Sequence, residues 1–226
     1  MDRKVVIPGE VIIEGDDYLP GENTQKTEGK IISIRYGLAE EQNNLIKVIP
    51  LSGGYNPRRG NVVIGKIEGA VNNGWLIDIG YADSAFLSIM EVPRYVNKEA
   101  MEEVFKIDEI VIAKIWSMGR RGIDLSIKSR GLGKVEEGIV FEVNPNKVPR
   151  IIGKEGSMIK LIKEETGCEI NVAQNGYVWV KGEKVEDELF AKKAINFVTE
   201  NSYVRGLTEE LTKWFKEKKK WEILEE

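Results

Sequence analysis

Apolar and polar residues alternate over short runs in the first quarter of the chain. The runs are Val5–Ile7, Val11–Ile13, Gly29–Tyr36 and Leu45–Leu51, divided by Pro8-Gly9, Asp16-Asp17 and Gly53-Gly54. A period of two suits a strand with one face buried, and Pro, Gly and Asp pairs punctuate strands. Residues 1–57 are therefore expected to form a small all-β domain, with Ser52–Pro57 as the loop that ends it.

Five further strand-like runs follow: Val62–Glu68, Trp75–Ile79, Ser84–Ile89, Glu109–Trp116 and Gly122–Lys128. One helical interruption, Lys98–Phe105, lies between the third and fourth, where Ala100, Met101, Val104 and Phe105 share a face. Five strands with a helix after the third is the order of an OB-type barrel, expected over 58–130. Gly131-Leu132-Gly133-Lys134 reads as a linker, after which the pattern changes. Gly138–Val143 is a strand, Val148–Ile152 a helical turn and Gly156–Thr166 a helix that Gly167 stops. Cys168–Ala173 and Tyr177–Lys181 are strands around Asn175-Gly176, a hairpin signal. A helix over Val185–Ser202 completes a domain expected at 134–204. An extra helix, Thr208–Trp221, has Thr208 as its N-cap and presents Leu211, Trp214, Phe215 and Trp221, giving a helical extension at 205–226.

Composition narrows the chemistry. The 226 residues are 42% hydrophobic and 31% charged, which suits a folded chain rather than a disordered one. No run of about 18 apolar residues is present, and the start Met1-Asp2-Arg3-Lys4 leads into too short an apolar stretch for a signal peptide, so the expected location is the cytoplasm. The single cysteine, Cys168, has no disulfide partner, and with no histidine a zinc site would need unusual ligands. The lack of histidine also removes the commonest acid/base near neutral pH. Carboxylates such as Asp16, Asp17, Asp78 and Asp83 remain available to a carboxylate-based nuclease, but acidic residues in turns are usually turn residues. No metal and no cofactor are expected.

Net charge is −4, so the chain as a whole does not attract a polyanion and any anion-binding site must be local. One positive stretch stands out: Pro145–Glu164 holds Lys147, Arg150, Lys154, Lys160 and Lys163 against Glu155 and Glu164. Inside it lies Ile152-Gly153-Lys154-Glu155-Gly156-Ser157. A G-x-x-G turn lets a sugar-phosphate backbone approach without meeting a Cβ, and the helix after it aims unpaired N–H groups at a phosphate. The order of elements and this loop resemble a type I KH α+β domain. That resemblance implies a clamp on about four nucleotides by Gly153, Lys154, Glu155 and Gly156. Arg150 and Lys160 would neighbour the phosphates, and bases would lie over the second helix and second strand.

The runs Val63-Ile64-Gly65-Lys66-Ile67, Asn73-Gly74-Trp75-Leu76-Ile77-Asp78, Ala85-Phe86-Leu87-Ser88-Ile89 and Ile123-Asp124-Leu125-Ser126-Ile127-Lys128 resemble an S1 domain along its whole length. OB folds stack single-stranded bases on aromatics in a basic groove. The family often places aromatics beside the strand-two glycine and a histidine late in strand three, where this chain has Asn73, Leu76 and Ser88. Trp75 leaves its face open, and Phe86 is expected in the core. Contacts from this barrel then rest on charge: Arg58, Arg59, Lys66, Arg120 and Arg121.

An S1 domain before a single KH domain, behind a β-domain and with Tyr55-Asn56-Pro57-Arg58-Arg59-Gly60-Asn61-Val62 at the junction, resembles the S1/KH cap subunits of the archaeal RNA exosome. Val6-Ile7-Pro8-Gly9-Glu10 and Val48-Ile49-Pro50-Leu51 fit the same family, while Asn61 stands where it commonly has aspartate. The resemblance implies a non-catalytic subunit present as three copies on a ring of RNase PH-like subunits. It would dock through residues 1–57, recruit single-stranded RNA and guide the 3′ end into the pore. A NusA-type transcription factor also places S1 before KH but carries two KH domains, and polynucleotide phosphorylase places KH before S1.

Overall fold

Alternation in the N-terminal segment closes two small sheets over one core in the computed structural model, which describes residues 4–93, 97, 101–119, 122–202, 204 and 206–225. Side chains beyond Lys218 are not described. Met1–Gly53 form one compact unit. Its strands are β1 (Lys4–Val6), β2 (Val11–Glu14), β3 (Leu19–Pro20), β4 (Thr24–Thr27), β5 (Lys30–Ser33), β6 (Gly37–Gln42) and β7 (Leu45–Pro50). One sheet runs β1-β6-β7-β3 and the other β2-β5-β4. Val6, Ile12, Ile31, Ala39, Ile46 and Val48 form the core between them. The run expected as one strand over Gly29–Tyr36 is broken after Ser33. The Ser33 hydroxyl donates to Arg35 C=O and accepts from Arg35 N–H, turning the chain before β6 begins. The polar β4 carries no apolar alternation and was not readable as a strand.

Gly54–Glu226 form the second unit. Its barrel consists of β8 (Val62–Val71), β9 (Gly74–Asp78), β10 (Ala85–Ser88), β11 (Ile110–Gly119) and β12 (Gly122–Ser126). Closure comes from β12, which pairs with both β10 and β11. A short helix, α1 (Met101–Val104), lies between β10 and β11; residues 98–100 of the longer helix expected there are outside the described residues. The inward row includes Val63, Ile67, Trp75, Ile77, Ala85, Leu87, Ile115 and Leu125. Trp75 is fully buried, with the Phe105 ring edge-on at 5.1 Å. Phe86 corrects its expectation. Ala85 and Leu87 take the core side of β10, so Phe86 between them faces outward, half-buried, with its ring across Gly74. The expected linker also differs: Gly133–Val135 is a strand, β13, that pairs with β11 and adds a sixth strand to the barrel sheet.

The rest runs β14 (Ile139–Glu142), α2 (Val148–Ile152), α3 (Ser157–Thr166), β15 (Glu169–Val172), β16 (Tyr177–Lys181), α4 (Val185–Glu200) and α5 (Leu207–Glu225). The antiparallel sheet β14-β16-β15 carries α2, α3 and α4 on one face, the type I KH arrangement. Helix α5 extends this core. Phe215 and Leu211 are buried, and Trp214 stacks with Phe190 and Phe197 at 5.5 and 5.6 Å. Thr208 lies inside the first turn of α5, where its carbonyl accepts from the Thr212 hydroxyl, and so is not the N-cap expected. Trp221, Lys219 and Lys220 fall where side chains are not described.

The other face of the KH sheet packs on the barrel. Trp179 and Ala173 meet Ile64 and Ile112 in a buried cluster. The hairpin tip stitches the two together. Gln174 N–H donates to Val62 C=O at 2.9 Å, and Val62 N–H donates to Gln174 Oε1 at 2.6 Å. Asn175 Nδ2 donates to Ile64 C=O and Ile79 C=O at 2.7 and 2.9 Å, and its Oδ1 accepts from Ile64 N–H at 3.2 Å. The β8–β9 ladder stops at Lys66 and Asp78, so the Asn175 carboxamide serves as the peptide group that β9 no longer supplies.

Candidate nucleic-acid interface

The G-x-x-G loop sits between α2 and α3. Its two glycines do different things. A Cβ on Gly153 would lie 2.7 Å from Met158 N and Cβ, so this glycine lets the loop fold back on α3, at φ 74°. A Cβ on Gly156 would meet only Ile159, at 3.9 Å, so the space above that glycine stays open to an approaching backbone. Between them Glu155 is left-handed, at φ 53° and ψ 26°, a conformation that non-glycine residues adopt at a cost.

Helix α3 starts at Ser157 with no side chain capping its N-terminus. Its first N–H groups and the positive end of its dipole are left for an anion. Arg150, Lys154 and Lys160 are all exposed around that end. Among the described residues no ion pair holds any of the three, and none is tied to a backbone carbonyl as Lys147 is to Thr199 C=O, at 2.8 Å. Half-buried apolar residues on α2, α3 and β15 are Ile152, Ile159 and Val172. Cys168 is buried behind them, and burial pushes its thiol pKa up.

The barrel residues are placed less uniformly. Lys66 is exposed but bonded to Asp108 at 3.0 Å; that contact raises its pKa, helped by the fields of Asp78 and Glu68. It sits in an acidic neighbourhood. Arg58 and Arg59 are exposed in the turn that leads into β8. That turn is fixed by Asn61, whose Oδ1 accepts from the Tyr55 hydroxyl at 2.9 Å and from Arg58 N–H at 3.1 Å. An aspartate oxygen would accept the same two bonds, which is why Asn61 preserves the turn. Tyr55 packs on the barrel core, and burial pushes its pKa up to about 12. Arg120 and Arg121 lie outside the described residues.

The outer face of β9 and β10 carries Leu76 opposite Phe86, with Ser88 opposite Gly74. One partly exposed ring thus replaces the pair of aromatics expected of the family. Of the acidic residues considered for chemistry, Asp78 accepts from Gly80 N–H at 2.8 Å and Asp16 lies 3.9 Å from Lys26. Among the described residues no group of three or more His, Cys, Asp or Glu is placed to hold a metal ion, and no helix is long and apolar enough to cross a membrane.

An OB-type barrel fused to a KH module with an open G-x-x-G loop defines the class of single-stranded nucleic-acid-binding folds. The family model for the KH domain matches residues 138–186. The exosome complex component Rrp4 of Methanobrevibacter smithii is 40% identical over 92% of this chain and 69% of its own length. That of Nitrosopumilus maritimus is 39% identical over 92% of this chain and 94% of its own. A solved structure assigned as an exosome complex RNA-binding protein superposes with a TM-score of 0.68 and 32% identity, covering 75% of this chain and 99% of that one. The chain belongs to the Rrp4 family of exosome complex components.

Proposed function

We propose that this chain is a non-catalytic RNA-binding cap subunit of an exosome. It recruits single-stranded RNA and guides the 3′ end into the pore of a phosphorolytic RNase PH-like ring on which three copies sit. The observation that carries the RNA-binding reading is the loop at Gly153–Gly156. An uncapped helix start, an open approach at Gly156 and three unpaired cations converge there. A backbone phosphate fits that chemistry, and bases following it over α3 and β15 would meet Ile152, Ile159 and Val172. Arg58, Arg59, Arg120 and Arg121 add charge from the barrel; Lys66, neutralised by Asp108, adds least.

Docking on the ring is assigned to residues 1–57. An apolar row on the outer face there supports it: Val5, the half-buried Leu38 and Ile49 stand side by side across β1, β6 and β7, with Val5 49% and Ile49 36% exposed. An apolar row left on a small sheet suits a protein partner.

The test of the RNA-binding reading is a titration of single-stranded RNA at several salt concentrations. Lys154→Asp and Lys160→Gln should weaken binding and lower the slope of log K against log salt by about 0.7 per lost phosphate contact. Unchanged affinity and slope would remove the loop from the account. RNA turnover by the isolated chain would contradict the non-catalytic assignment.

A further inference from the structure

We propose that Trp116 is a second RNA contact, a base-stacking site flanked by Lys114 on β11 and by Arg59 in the turn that leads into β8. The inference rests on the RNA-binding reading above and adds a site to it. Trp116 is 49% exposed and belongs to none of the buried clusters, unlike Trp75 and Trp179. The β11–β12 register shifts between Ile115 and Ser117, so Trp116 is the extra residue of a bulge. Ala113 and Ile115 face the core, so alternation already turns Trp116 outward beside Lys114, and the bulge leaves it without a partner residue on β12. Among the described residues no other aromatic ring stacks on it. An exposed indole of this kind is the sequence-tolerant surface on which a base can stack.

Its surroundings select the ligand. Lys114, two residues earlier on the outer side of β11, is exposed and stands opposite Val62 and Ser126. Ile115 exchanges backbone bonds with Gly60 and Asn61 at 2.7 and 2.8 Å, which brings the Arg58–Arg59 turn beside the bulge. Among the described residues Lys114 and Arg59 take no ion pair, whereas Lys66, Lys128 and Lys134 of the same barrel sheet and its edges are each neutralised by a carboxylate. Asp124, opposite Ser117 and Phe86, is the neighbouring acid. An aromatic face between unneutralised cations fits a stacked base between two phosphates better than it fits an apolar protein surface. Val62 is also the residue that holds Gln174, so this site adjoins the KH hairpin and a strand leaving the KH domain can continue onto it.

The experiment is binding of a labelled oligoadenylate of about 12 nucleotides to the full chain, with Trp116→Ala, Trp116→Phe and the pair Lys114→Gln/Arg59→Gln. Circular dichroism confirms that each variant is folded. Trp116→Ala should weaken binding about tenfold at an unchanged salt slope, because stacking carries no counterion release. Trp116→Phe should retain most of the affinity. The charge variant should lower the slope by about 1.4. Wild-type affinity in Trp116→Ala overturns the site, as does equal loss in Ala and Phe variants accompanied by failure to join the exosome, which would make Trp116 a protein contact. If the unaltered chain binds no RNA at all, the RNA-binding function itself falls, and this site with it.

Discussion

Replacing Asn175 removes a side chain that hydrogen-bonds the barrel at three backbone groups from the KH hairpin. It is 3% exposed, and its carboxamide satisfies Ile64 N–H, Ile64 C=O and Ile79 C=O. A net contribution of about 1 kcal/mol per neutral bond gives about 3 kcal/mol for Asn175→Ala, and more if the bared backbone groups stay dry. Asn175→Asp is the sharper variant. It keeps the shape but replaces the donor that faces two carbonyls, at 2.7 and 2.9 Å, with a second acceptor oxygen. At neutral pH the introduced carboxylate is buried without a counter-charge, so this variant should cost at least as much as alanine. Acidification should relieve part of the loss, since a protonated carboxyl regains one donor. The assay is urea unfolding of the full chain followed by tryptophan fluorescence. With m about 2 kcal/mol/M the midpoint should fall by roughly 1.5 M. Stability within about 0.5 kcal/mol of the unaltered chain for both variants would refute the reasoning.

Two further outcomes follow from the geometry. Gly153→Ala forces a Cβ to 2.7 Å from Met158 N and Cβ at a positive φ, and should destabilise the KH domain by about 2 kcal/mol and weaken RNA binding; thermal unfolding and the RNA titration check both. Burial raises the Tyr55 pKa from 10.0 to about 12, so the neutral phenol's contribution is full below pH 10 and is lost as pH rises towards 12. Two units correspond to about 2.7 kcal/mol, which partial exposure reduces to about 1 kcal/mol. Tyr55→Phe should flatten that alkaline loss in pH-dependent unfolding, and an unaltered profile would count against it.

Much of the architecture was legible because its strands carry their own signals. The alternation from Val62 to Ser126 marks all five barrel strands, and the helix spacing and G-x-x-G order mark the KH domain. The misreadings have local causes. Gly131–Lys134 looks like a linker because two glycines outweigh a three-residue strand, and only the neighbouring β11 reveals that Gly133–Val135 is paired. Thr24–Thr27 has no apolar alternation, being held by pairing with β5 rather than by its own side chains. Phe86 was placed in the core by its hydrophobicity, whereas the parity of β10 puts Ala85 and Leu87 there.

The proposed site was legible in its loop and hidden elsewhere. Asn175-Gly176 signals a hairpin, and the hairpin forms, but only Gly176 takes a positive φ, 91°. Asn175 is there for its carboxamide, which acts on Ile64 and Ile79, 111 and 96 positions away. Trp116 gave no cue, because an aromatic in an apolar strand reads as core until the parity of that strand is known, and here Ala113 and Ile115 take the core side. Asp108, which occupies Lys66, is likewise set by the fold rather than by spacing.

The most direct measurement is a photocrosslinking map of single-stranded RNA on the assembled exosome, read out by mass spectrometry of this chain. The account predicts crosslinked peptides spanning Arg150–Lys160, with a second set at Lys114–Met118. Crosslinks confined to other subunits, with none on either segment, would contradict it.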